Sequence, residues 1–107
     1  MKPVTFLGDS LNAMRAFPPA ARREAGLQLD RVQRGLMPAS WKPMKTIGPG
    51  VNEIRVRDER GAFRVLYIAT FAEAVYVLHV FQKKAQKTAK TDLQLATLRY
   101  RTLRTAR

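Results

Sequence analysis

Cysteine is absent from the 107 residues, and histidine occurs once. Without cysteine there is no disulfide staple, no thiolate nucleophile and no thiolate zinc site. A single histidine excludes a histidine-rich metal centre as well, so neither a metal nor a cofactor is expected. Acidic side chains are scarce: eight Asp and Glu stand against 20 Lys and Arg, a formal net charge of +12. No apolar run approaches the ~20 residues that a membrane helix needs. No continuous hydrophobic segment follows Lys2, so the expectation is a cytoplasmic protein with no secretory signal and no membrane partner. Repeats and low-complexity tracts are also missing. What is present is a chain 46% apolar, enough to bury a core in one domain spanning residues 1–107.

The placement of charge says more than its total. From His79 onward, eight basic residues face Asp92 alone, which is +7 of the +12. Phosphate contacts release counterions and dominate nucleic-acid affinity, so a basic tail of this kind favours a polyanion partner over a merely solvated face.

Along the chain, Val4–Leu7 is a short β-prone opening ended by Gly8. Asp9 or Ser10 can cap a brief helix running through Phe17. Pro18 stops it and Pro19 suits the first turn of the next helix. Residues 20–36 carry Ala21, Ala25, Leu29, Val32 and Leu36 at helical spacing. Residues 37–50 read as a loop pinned to the body by Trp41 and Ile47. The period then changes to two. Ile54 and Val56 face one way, and Glu53, Arg55 and Arg57 the other. Asp58–Gly61 makes a hairpin turn, Phe63–Phe71 a second strand and Ala74–Phe81 a third. Thr91 and Gln94 resemble a capping box opening a C-terminal helix, with Leu93, Ala96, Tyr100 and Leu103 as its stripe. The order β-α-α-β-β-β-α predicts an α+β fold with a mostly antiparallel small sheet, two N-terminal helices and a C-terminal helix.

Pairing these strands as adjacent hairpins brings cations together. Arg55 and Arg57 come beside Arg64 across the turn, and Lys83 and Lys84 at the end of the third strand come beside Arg64 from the other side. Like charges so close call for an anion or for partner carboxylates, and only Glu53, Asp58 and Glu59 are near in sequence. A phosphate site follows. A ribonuclease that cuts through the RNA's own 2′-hydroxyl needs a base, an acid for the leaving 5′-oxygen and charge stabilisation on phosphorus. Arginine supplies the last without deprotonating, and lysines among other cations suit the proton transfers. Simple phosphate binding fits the same spacing. By strand parity His79 shares a face with Val77, Phe81 and Lys83; a lone histidine in an apolar strand is more often structural. Tyr67 reads as a core residue, or, if its ring is exposed on the cationic face, as a platform for a base.

Trp41-Lys42-Pro43-Met44-Lys45, then Gly50-Val51-Asn52-Glu53-Ile54-Arg55, Phe63-Arg64-Val65-Leu66-Tyr67 and the stretch from Val77 through Lys84 to Thr88 together form a recognisable series. In motif and element order, from about Val4 to Tyr100, the chain resembles the phage-derived, HigB-like branch of the RelE/ParE toxin superfamily. The spacing His79, Phe81, Lys83, Lys84, Lys87, Thr88 is the most specific part. The resemblance implies a RelE-like fold and the toxin of a type II toxin–antitoxin system, an mRNA interferase that enters the ribosomal A site and cleaves mRNA there. It implies that Arg55 and Arg57 line the RNA face, that Arg64 stabilises the phosphate, and that one of Lys83 and Lys84 acts on the leaving oxygen. The tyrosine that RelE uses in its C-terminal segment has no counterpart here, since Tyr100 lies too far along, and His79 joins the catalytic candidates for that reason. Tyr67, Lys87, Lys90 and Arg99 complete the expected RNA contacts. The implied partners are a cognate helix-turn-helix antitoxin, the ribosome and mRNA. Two other functions stay open: a ParE-like inhibitor of DNA gyrase, and a non-enzymatic phage-derived nucleic-acid-binding protein.

Overall fold

In a computed structural model that describes residues 1–106, eight elements follow one another. They are β1 (Val4–Phe6), α1 (Ser10–Arg15), α2 (Pro19–Gln33), β2 (Trp41–Pro43), β3 (Val51–Asp58), β4 (Gly61–Ile68), β5 (Val75–Lys83) and α3 (Lys90–Thr105). Arg107, counted above in the basic tail, lies outside the described residues. The five strands form one sheet in the order β1-β5-β4-β3-β2. Every pair is antiparallel except β1 with β5. The protein is thus an α+β fold with a mostly antiparallel mixed sheet. No described helix is long and apolar enough to cross a membrane.

Period-two patterning gives the sheet two faces, each with its own core. Ile54, Val56, Phe63, Val65, Tyr67, Val75, Val77 and Val80 pack with Met14, Phe17, Ala21, Ala25, Leu29 and Val32 of the α1–α2 layer. On the opposite face Val51, Leu66, Ile68, Leu78 and Phe81 pack under Ala96, Tyr100 and Leu103 of α3. The register slips once: Leu66 pairs with His79 but Tyr67 with Val77, so Leu78 is a bulged residue. Beyond it the parity of β5 inverts.

Several expectations are corrected. The loop expected over 37–50 contains β2, a three-residue edge strand whose Trp41 pairs with Ile54. Ile47 is buried as expected, but Trp41 is 40% exposed and does not pin the segment. Leu36 leaves the helical stripe because α2 ends at Gln33, and Gly35 turns the chain at φ +83°. Leu36 is half exposed. No capping box forms at Thr91: α3 begins at Lys90, and Ala89 occupies the cap position without a side-chain bond. Asp92, in the first turn where a carboxylate suits the helix dipole, reaches His79 instead.

Candidate phosphate-binding site

The meander places three cross-strand rows on the α3 face of the sheet. The first is Glu53, Leu66 and His79, the second Arg55, Arg64 and Phe81, and the third Arg57, Ala62 and Lys83. The tight hairpin at Asp58–Gly61, where Gly61 takes φ +138°, fixes this register. α3 covers the first row and leaves the last open. The half of the face nearest the hairpin is therefore cationic and uncovered.

Glu53 organises the arginines. Its side chain is buried, and Oε1 accepts from Arg55 Nε at 3.1 Å while lying 3.5 Å from Arg64 Nε. Arg64 donates through Nη1 to the carbonyl of Phe63 at 3.1 Å. Its own Nε has the ion pair but no hydrogen bond; it and His79 Nδ1 are the two buried side-chain polar atoms without a hydrogen bond among the described residues. Burial lowers the Arg64 pKa, Glu53 opposes that, and Arg55 and Arg57 add to it by repulsion. The guanidinium stays charged; burial is the main cause of the shift, and Glu53, shared between Arg55 and Arg64, leaves a repulsion from Arg55 and Arg57 that an anion could relieve.

Two depressions flank Arg64. One, of about 450 Å³, is lined by Arg57, Arg64, Lys83 and Lys84 with Ala62 and Gln86. The other lies around the edge of β3, against α2, and also contains Arg55, Arg57 and Arg64. Lys87 extends the first by way of a smaller hollow shared with Lys83, Lys84 and Asp92. The structure thus brings together Arg55, Arg57, Arg64, Lys83, Lys84 and Lys87.

Four expected site residues stand elsewhere. Tyr67 is 2% exposed and packs in the α1–α2 core, on the far side of the sheet from Arg64. Burial raises its pKa, partly offset by a hydrogen bond with Asn52. It cannot offer a ring to a base. Arg99 is committed internally: Nη2 donates to Asp9 Oδ1 at 2.8 Å and Nη1 to the Leu78 carbonyl at 3.0 Å. Gly8 permits this, since a Cβ there would collide with the Arg99 guanidinium. Lys90 lies on the outer face of α3 beside Leu98 and Arg101, apart from the cluster. His79, through the bulge, faces α3 and not the side of Val77, correcting the parity reading. Its Nε2 donates to Asp92 Oδ1 at 2.7 Å, its Nδ1 is buried without a partner, and its ring stacks on Phe81 at 5.3 Å. Phe81 stands between it and Lys83, and it lines neither depression. The Asp92 partnership was not legible in the sequence, because 13 residues and a loop separate the pair.

The fold and this cluster define a small basic α+β protein with a cationic face on its sheet. Residues 12–101 match the family described as phage-derived protein Gp49-like (DUF891). The chain belongs to that family, which is linked to the toxins of toxin–antitoxin systems. No curated protein matches the chain.

Proposed function

We propose that this protein is the toxin of a type II toxin–antitoxin pair, of the HigB-like RelE kind, and that it is a ribosome-dependent endoribonuclease. Arg64 carries the reading: a buried, incompletely neutralised guanidinium that opens onto a groove shared with Arg57, Lys83 and Lys84. A scissile phosphodiester seated there has its non-bridging oxygens against Arg64, where charge builds in the transition state and a fixed cation in a partly dry site is most effective. The substrate's 2′-hydroxyl is the nucleophile, and Lys83 and Lys84 divide the proton transfers to and from the 2′- and 5′-oxygens. Arg55, Arg57 and Lys87 hold the flanking backbone. The family's link to toxins supports the cellular role, and a helix-turn-helix antitoxin is the expected neutralising partner.

Induction in growing bacteria tests this. Leucine incorporation falls before thymidine incorporation, and primer extension finds cuts within translated reading frames. Arg64→Ala lowers cleavage on the order of 10²–10³-fold and relieves growth arrest. If thymidine incorporation failed first, the gyrase reading would replace this one. Full toxicity of folded Arg64→Ala and Lys84→Ala variants would show the site assignment to be wrong.

A further inference from the structure

The depression on the α2 side of Arg64 has features that phosphate binding does not use. It is a groove of about 560 Å³ between α2 and the edge of β3. Its walls hold two carboxylates, Glu24 and Asp58, in an otherwise cationic neighbourhood. Gln28, 5% exposed, is dedicated to one of them: its Nε2 donates to Glu24 Oε2 at 2.6 Å, while its Oε1 accepts from the backbone of Ala39 at 2.7 Å. A buried amide with both ends engaged holds a carboxylate at the groove in a set orientation, leaving Glu24 Oε1 to accept from something else.

The β3 wall adds a backbone edge. β2 pairs with β3 only as far as Ile54, and the next contact on that side is Arg55 N–H to the Ser40 carbonyl at 2.9 Å. Hydrogen-bonding direction alternates along an antiparallel strand, so the N–H and C=O of Arg57 point the same way, into the groove where no strand follows. An acceptor carboxylate, a backbone donor and a backbone acceptor thus line one slot beside a phosphate clamp.

We propose that this groove is a nucleobase subsite that selects a base bearing an exocyclic amino group, as adenine, cytosine and guanine do, over uracil. The inference rests on the phosphate-binding reading of Arg64. With a nucleotide's phosphate on Arg64, its base enters the α2 side, the amino group donates to Glu24 and the Arg57 backbone meets the ring edge. A carboxylate accepts from an amino group and repels the carbonyl that uracil presents in its place, so discrimination of about tenfold is expected.

Nitrogen-15-labelled protein titrated with 3′-CMP, 3′-AMP, 3′-UMP and inorganic phosphate tests it. The amides of Ala39, Ser40 and Arg57 shift with the two amino-bearing nucleotides, which bind about tenfold tighter than 3′-UMP. Glu24→Gln, at an exposed helix position, keeps the fold and abolishes that preference. Equal affinity for all three nucleotides, or the same shifts with inorganic phosphate alone, would overturn the subsite. The outcome is separable from the nuclease reading. Selective nucleotide binding without mRNA cleavage removes the enzyme and keeps the subsite, and cleavage with base-blind binding does the reverse.

Discussion

The two faces of the sheet come from the same strands and have opposite characters. The α1–α2 face is apolar across its centre, closed by Ala21, Ala25, Leu29 and Val32. The α3 face is apolar only under the helix, where Leu66, Ile68 and Leu78 meet Tyr100 and Leu103, and toward the hairpin it carries Arg55, Arg57, Arg64 and Lys83. One face is committed to stability. The other divides its area between an apolar core and a cluster of cations, and a single buried carboxylate, Glu53, marks the border.

That contrast can be broken, most strongly from the closed side. Tyr67→Ala empties a large volume beneath α2 and costs about 3–5 kcal/mol in urea unfolding, whereas Arg57→Ala, exposed on the other face, stays within about 0.5 kcal/mol. Similar losses for both would mean that the faces do not differ as described. Next in size is the border itself. Glu53→Ala leaves Arg55 and Arg64 without their shared acceptor and costs about 1–3 kcal/mol in chloride. Sulfate then recovers more melting temperature for this variant than for the parent; equal gains in both would argue against a site awaiting an anion. The smallest effect concerns Arg99. Its guanidinium holds the Asp9 carboxyl below its ordinary value of 3.8. A carboxyl depressed by folding stabilises above its unfolded value, and the contribution is lost as pH falls through the folded one. The stability gap between parent and Arg99→Ala therefore narrows on acidification below about pH 4, a trend that melting curves would reveal, and a gap independent of pH would refute the assignment.

Much of this was legible in the sequence where local rules decide. The alternation of Ile54 and Val56 against Arg55 and Arg57, followed by a turn, determines which cations can meet, and the observed pairing of Arg55 with Arg64 is the direct consequence. Features set by distant contacts were not legible. β2 is three residues ending in Pro43, too short and too interrupted to show a period. Glu53 follows the polar side of its strand, yet is 2% exposed, because α3 and two arginines enclose it. Arg99 and Lys90 look alike on a basic helix, and only the tertiary position of Asp9 separates a tie from a free surface charge. The pairing of β1 in parallel beside β5 likewise depends on a connection that spans most of the chain.

The bulge at Leu78 has a consequence for how this chain can change. It acts as a phase shifter: upstream, Val75 and Val77 are aimed at α2, and downstream the same side of the pleat is taken by Val80 while Lys83 is swung toward the arginines. Removing one residue there would leave β5 with a single phase. Deleting Leu78 itself would do so with both halves in place, Val75 and Val77 against α2 and Lys83 beside the arginines, at the loss of one apolar side chain under α3. β5 can thus lose its bulged residue and keep its phase, whereas one residue added between His79 and Lys83 would turn Lys83 toward the apolar layer.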